Sequence, residues 1–445
     1  MRTKKLPKKG KAAIAVTAVC LVAIIVFFTV YMTAFIRTSG QQVMYDPTDF
    51  SKQLSESEVR DDIEELIKNT EDIYVGFWDA TPEGYTAARD KLIASAKAMS
   101  AEEFALCVME YFAFFKDTHT KIAYTGSHTL DFYNISLHFD GNRYVSLGTS
   151  LIPKGAVLVA INQVELSDVI AIAAPLLPQE NENTNKNTNY LAPIFLRAAG
   201  AELDGINSLE YLHQSEKKTI HIPMITAAEY DAFYGRSKKN IECLLINSDT
   251  LYIDYNAAYD GGDLSPALDY ISDALHNKGI RNVIIDARGN GGGNDSVGSE
   301  LLDALGLKYS SADFIVRYSP EATRQNGFLR SFGSQQVKGK INYGNEFGIQ
   351  LKVFCDENTM SAATTLVSQV RYSGLGEIIG RSSGQSPNYK GNPVFLQLKN
   401  SGLVYSLATT QSVWDSVYQW KIGSSIEPDI LVPYTANPMD YVKFD

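Results

Sequence analysis

Two short stretches of this chain hold residues that could do chemistry. The first is "DARGNGGG", Asp286 to Gly293. It follows a run that reads as a buried strand and precedes one that reads as a helix. A plain strand-to-helix turn needs one glycine, and this one has four. Glycine admits positive φ and lets other atoms approach the backbone. Successive amides in such a turn can form an anion-binding nest. The loop lacks the GK[ST] of a phosphate loop and the spacing of a dinucleotide fingerprint. The second stretch is "VFCDENTMSAATTLVSQVRYSG", Val353 to Gly374. Here Ser361 stands where a strand gives way to a helix. Amides at a helix start lack partners and carry partial positive charge, so negative charge near the serine is stabilised. Ala362 brings its own amide close without bulk. The plainer role for such a serine is an N-cap.

A serine nucleophile needs a base. The chain has six histidines. His128, His138, His213 and His221 lie in or near a β-rich section, and His276 lies on a helical run. His119, in "KDTHTK", directly follows a capped helix, although a lone histidine is usually structural. The other candidate is Lys390, in "SPNYKG", 29 residues after Ser361.

These residues need elements to hold them. At 445 residues and with 45% apolar content, the chain can bury a sizeable core across two or three domains. A net charge of -11 gives no general attraction to nucleic acid. The first 11 residues carry six basic groups and no acid. An uncharged run of 25 residues follows, Ala12 to Ile36. That is longer than the apolar region of a signal peptide, and a bilayer core needs about 20 residues of helix. The run predicts an uncleaved, single transmembrane helix with a cytoplasmic tail and the rest of the chain extracytoplasmic, at the cell membrane. Residues 1–37 form this tail and anchor, and 38–56 a polar linker.

Residues 57–125 read as a helical segment, with a capping box at Ser100 and Glu103. Residues 126–230 read as a mainly β module: "RYVSLG", "AVLVAINQVEL" and "KTIHIPMI" as strands, one helix near "YLAPIFLRAAG", and "PQENENTNKNTN" as a polar loop. From 231 to 445 strands and helices alternate, which predicts an α/β domain with a mostly parallel sheet. One of its helices, in "SPALDYISDALHNKG", reads with Ser265 as N-cap and Gly279 past its end. Cys107, Cys243 and Cys355 sit among apolar neighbours and read as buried thiols. Their odd number without CxxC gives neither a disulfide framework nor a zinc site, and no metal or cofactor is expected.

Taken together, "VIIDARGNGGGN" and "CDENTMSAATTLVSQV" resemble the D-x-R-x-N-x-G-G and T-x-S-A blocks of the S41 serine peptidases, the C-terminal processing and tricorn-core type. "SSIEPDILV" resembles the closing segment of that family, "FKDTHTKIAY" its D-G-H-T element, and "KGAVLVAINQVEL" part of a PDZ domain. The resemblance implies a ClpP/crotonase-like core of ββα units with a PDZ-like module ahead of it. It implies Ser361 as nucleophile and the amides of Gly292 and Ala362 as the oxyanion hole. Lysine in the Ser/Lys branch stands 25 residues after the serine, where this chain has Ser386. Thr118 and His119 stand where the tricorn-like branch has Ser-His, so His119 is favoured as base over Lys390. Glu427 is the expected assisting carboxylate, with Asp415 second. Asp286, Arg288, Asn290 and Gly293 shape the glycine loop.

The expected function is a membrane-anchored serine endopeptidase that cleaves extracytoplasmic proteins or peptides through an acyl-enzyme. The competing expectation is an inactive peptide- or ligand-binding protein on the same scaffold. It draws on Thr364, which stands where the family often has glutamate. An enoyl-CoA hydratase relative fits the core shape but not the outward topology.

Overall fold

A computed structural model of the chain describes residues 8–35, 37–123, 130–132, 137–149, 151–187, 189–203, 205–226, 239–414, 425–434 and 436–444. His128 and Asp415 lie outside them.

Lys8–Thr33 forms one helix. Its end rests on the body of the protein, with the Tyr31 ring 6.5 Å from Phe332 and the Phe35 ring 5.9 Å from Phe328. Among the described residues no helix is long and apolar enough to cross a membrane. This corrects the expected transmembrane anchor, and with it the expected cell-membrane location and topology.

Helix Glu56–Ile73 opens on a capping box between Ser55 and Glu58, and helix Ala101–Ala113 on the expected one between Ser100 and Glu103. Their apolar faces enter one large core together with the β-rich section and part of a second sheet. Buried Asp62 accepts the amides of Asn400 and Ser401 at 2.9 and 2.7 Å, which ties the first helix to a distant turn.

The β-rich section is a sheet in the order Leu130–Phe132, Glu216–Thr226, Ile206–His213, Val157–Ile161, Tyr144–Ser146 and Leu137–Phe139, with Val164–Glu165 paired onto Val157–Ile161. The stretch read as one strand at Ala156–Leu166 breaks at Asn162 and Gln163, both at positive φ. It turns back there and continues into helix Leu166–Ala173. Asparagine tolerates this left-handed conformation better than most residues.

The section from residue 239 onward holds a sheet in the order Ile241–Leu245, Thr250–Tyr255, Asn282–Asp286, Gln350–Cys355, Gly376–Gly380 and Ile430–Leu431. Only the first pair is antiparallel. Helices Leu264–His276, Asp295–Ala304 and Ala362–Ser373 contribute to the core on one face. Residues near the carboxyl terminus, among them Met439, Val442 and Phe444, pack on the other. Burial on both faces explains the continuous apolar run at Val283–Ile285. The helix expected to be capped by Ser265 begins at Leu264, with Asp263 at the cap position.

Two features of this topology place the site. Asp286 and Phe354 are partners at the carboxyl ends of adjacent parallel strands, so the chain segments that follow them emerge side by side. In open parallel sheets this edge is where ligands bind. A five-stranded antiparallel sheet stands beside it, with Ser334–Val337, Asp313–Arg317, Val404–Val413 and Lys390–Gln397 in order. Its fifth strand is Lys121–Ile122, paired with Tyr405 and Ser406. That pairing brings the segment around His119 into the second half of the chain.

Candidate active site

Ser361 immediately precedes helix Ala362–Ser373, but its side chain makes no capping hydrogen bond. Its φ of 53° and ψ of -124° lie outside the ordinary regions for a residue with a side chain. The neighbours hold this conformation. The Ser361 amide donates to Gln385 Oε1, its carbonyl accepts the Thr365 amide at 3.0 Å, and Met360 N–H donates to the Asn290 carbonyl at 3.0 Å.

The glycine run lies against this turn. A Cβ placed on Gly292 would stand 2.4 Å from Ser361 Cβ and 3.0 Å from the Ala362 nitrogen, and Gly292 has φ +102°. Sterics and backbone conformation both require glycine there. Buried Asn290 braces the run: its Nδ2 donates to the Tyr255 carbonyl at 2.8 Å and its Oδ1 accepts the Gly292 amide at 2.9 Å. Arg288 grips Asp286 through Nε and a terminal nitrogen at 2.8 and 2.5 Å, while the Tyr252 hydroxyl donates to the same carboxylate at 2.6 Å. The Gly289 amide donates to Asp356 Oδ1 at 3.0 Å, linking the two loops. Gly293 forms an isolated parallel bridge with Ala258.

His119 Nε2 lies 3.2 Å from Ser361 Oγ, across 242 positions of sequence. The backbone at His119 is fixed from both sides. Its carbonyl accepts from the Ser406 hydroxyl at 2.8 Å, and its amide donates to Asp117 Oδ1 at 3.0 Å. The Thr120 hydroxyl donates to the other Asp117 oxygen at 2.7 Å and accepts the Ala408 amide at 3.1 Å. The Tyr389 ring stacks on the imidazole at 5.8 Å between centroids.

Two residues that sequence reasoning missed complete the arrangement. Glu180 Oε1 accepts both the amide and the hydroxyl of Thr118, at 3.0 and 2.6 Å. Gln385 Nε2 donates to Thr118 Oγ1 at 2.6 Å and lies 3.1 Å from Glu180 Oε1 and 3.3 Å from His119 Nδ1. Gln385 is thus in contact with Ser361, His119, Thr118 and Glu180 at once. Glu180 belongs to the stretch read as an open polar loop. That loop instead docks on the core, with Thr184 Oγ1 donating to the Gly384 carbonyl at 2.9 Å and Asn183 Nδ2 to Ser425 Oγ at 2.9 Å.

Glu427 does not join this group. Its carboxylate accepts from the Ser382 hydroxyl, and its carbonyl from Arg371. The carboxylates that accompany His119 are Asp117 and Glu180, whose oxygens lie within 4.8 Å of one another and of an imidazole nitrogen. Glu427 thus stands apart from the cluster of Asp117, His119 and Glu180. Lys390 turns elsewhere, its ammonium 5.8 Å from the centre of the Tyr74 ring. Thr364, at the position where glutamate was expected, donates its buried hydroxyl to the Thr359 carbonyl at 3.1 Å.

Burial dominates the electrostatics. It pushes the His119 imidazole down to about 4; Asp117 pulls it up, Lys121 pushes it further down, and the Lys390 carbonyl favours the protonated ring. Burial also raises the Glu180 carboxyl, and the negative charge of Asp117 adds to the effect. His119 is therefore neutral at pH 7 and able to accept a proton. Asp117, His119 and Glu180 could also offer ligands to a metal ion. Most of their carboxylate oxygens already accept N–H or O–H donors, as described above, so the set fits a hydrogen-bonded network better than a cation.

The described cysteines are all unpaired, with Cys355 buried and Cys107 and Cys243 partly so.

A small pocket of about 140 Å³ opens beside Ser361, lined also by Gly293, Asp295 and Tyr389.

Residues 249–432 match the family model "Peptidase family S41". No curated protein sequence matches the chain. Among solved structures, one titled as a serine-to-alanine mutant of CPAF superposes with a TM-score of 0.61 at 12% identity, covering 87% of this chain and 94% of that one. Mature CPAF gives 0.58 at 10% identity, covering 85% and 93%. Mature CPAF complexed with lactacystin gives 0.57 at 11%, covering 87% and 95%. At these identities the likeness concerns the fold. Residues 249–432, which hold Ser361 and the glycine run, thus match peptidase family S41, a family of serine-type peptidases, in agreement with the motifs and the fold.

Proposed function

We propose that the chain is an endopeptidase in which Ser361 is the nucleophile and His119 its general base. The observation that carries this reading is the 3.2 Å approach of His119 Nε2 to a Ser361 hydroxyl that caps nothing. Neutral His119 takes the proton from Ser361 Oγ as the oxygen attacks a peptide carbonyl. The oxyanion develops at the helix start. There the Ala362 amide, first in its helix, meets the glycine run at Gly292 and Gly293. A donor in such a site contributes typically about 3 to 4 kcal/mol. The Gly292 amide already serves Asn290 Oδ1, so it shares its proton with the oxyanion or relies on Gly293 beside it. The imidazolium is stabilised by Asp117 and the Lys390 carbonyl, the two influences that favour its charged form. It then protonates the leaving amine, and water releases the acyl group. Glu180 replaces Glu427 as the assisting carboxylate and acts through Thr118 and Gln385, which hold the ring in place. The substrates are proteins or peptides, as the family implies.

A fluorophosphonate probe tests the assignment. Labelling of the wild-type protein should vanish in Ser361→Ala and fall by at least about a hundredfold in rate in His119→Ala. Folded wild-type protein that resists the probe would leave the peptide-binding scaffold as the better reading.

A further inference from the structure

The pocket beside Ser361 differs from an apolar specificity pocket. Its wall includes Asn326, Asn392, Thr410 and Ser412, with Phe314 as the one aromatic side besides Tyr389. Asp295 faces the same space. Its Oδ1 accepts from the Tyr389 hydroxyl at 3.3 Å, and the Thr365 hydroxyl also bonds to this carboxylate. The two hydroxyls are themselves 2.7 Å apart. Among the described residues Asp295 forms no ion pair, and Arg37 is the cation whose charge acts on it. Burial raises the Asp295 carboxyl, and the charge of Arg37 lowers it. The Arg37 guanidinium sits near the pocket, its Nε donating to the Asn326 carbonyl at 2.7 Å and its plane 5.5 Å from the Phe328 ring. The chain itself thus brings a guanidinium toward this acid.

A desolvated carboxylate is costly without a cationic partner. A pocket of about 140 Å³ is far smaller than a whole-ligand site of about 300 Å³ or more, and suits one side chain. From this geometry we infer that the pocket receives a lysine or arginine side chain of the substrate, from the residue next to the scissile bond, with Asp295 as its specificity-determining partner. Phe314 and Pro393 flank the aliphatic stem, and Asn326 and Asn392 supply polar contacts near the head group. Because Tyr389 touches both Asp295 and the His119 ring, the occupied pocket adjoins the base directly. This inference rests on the peptidase reading, which places Ser361 at the cleaved bond.

The test uses the full chain and fluorogenic peptides that differ at one position, the residue donating the scissile carbonyl: lysine, arginine, norleucine or glutamate. The expected kcat/KM for lysine or arginine exceeds that for norleucine by at least about tenfold. Asp295→Asn should bring the ratio to within about threefold. Arg37→Ala removes the competing cation and should hold or raise the ratio, which gives a second readout if Asp295→Asn folds poorly. Equal use of norleucine and lysine by the wild type overturns the inference, as does a ratio that Asp295→Asn leaves unchanged. Binding of the lysine and norleucine peptides to Ser361→Ala, read by fluorescence anisotropy, separates the pocket from the chemistry. A lysine preference there that Asp295→Asn abolishes supports the pocket even if no probe labels Ser361, and its absence counts against the pocket even if labelling succeeds.

Discussion

At the scale of the residue, the site depends on a serine freed from the usual work of a helix start and an imidazole kept neutral by burial. The second feature sets a pH dependence. An ordinary imidazole titrates near 6.5, whereas His119 is pushed down to about 4. The base is competent when neutral, above its own titration point, and is lost by protonation below it. The acid limb of kcat/KM should therefore fall near pH 4 to 5, and activity should stay level between pH 5.5 and 7 on this account. A limb centred near 6.5 would show that the ring is solvated and its environment differs. Ser361 and His119 each stand at a local boundary written in neighbouring residues, a strand end against small helical residues and a capped helix followed by a polar turn, but only the family resemblance singled them out as a pair.

At the scale of the element, two loops at the carboxyl ends of adjacent strands must stay in contact for the hydroxyl to keep its place. Gly292→Ala introduces a Cβ 2.4 Å from Ser361 Cβ at a backbone position with φ +102°. It should cost at least about tenfold in labelling rate, since misplacement of about 1 Å is worth more than that in catalysis. Unfolding measurements should show a much smaller change than activity does. Asp62→Ala should do the reverse. It strips two buried amides of their acceptor far from Ser361, so stability should fall by about 1 to 3 kcal/mol in a denaturant titration while labelling of the folded protein persists. The alternation of strands and helices from 241 onward was legible because each element carries its own period and punctuation. The break at Asn162 and Gln163 was not, because asparagine and glutamine also occur within strands and only the backbone conformation distinguishes the turn.

At the scale of the whole molecule, the site is an assembly of distant segments. Lys121–Ile122 joins the sheet of Val404–Val413, and the loop carrying Glu180 bonds to Thr118 beside His119. Glu180→Gln keeps the shape but removes the charge that Thr118 and Gln385 orient against. Its expected effect is a loss of about ten- to a hundredfold in kcat with KM nearly unchanged, because the substrate does not touch it. A rise in KM alone would place Glu180 in substrate binding. The polar composition of residues 178–189 suggests a solvated loop. Its hydrogen bonds to Gly384 and Ser425 show that the polar groups are spent on the core, a destination that composition does not reveal.

Local order was enough to settle the glycine run, the serine at a helix start, the capped helix ahead of His119 and the α/β character of the second half. Each follows from interactions within a few residues, where propensity, capping and steric limits act. Tertiary structure alone decided which carboxylates stand beside the imidazole, that Gln385 spans both halves of the site, and that Asp295 faces the pocket. Those outcomes depend on long-range strand pairing and loop docking, whose energies lie in contacts between segments too far apart for their sequence patterns to record one another.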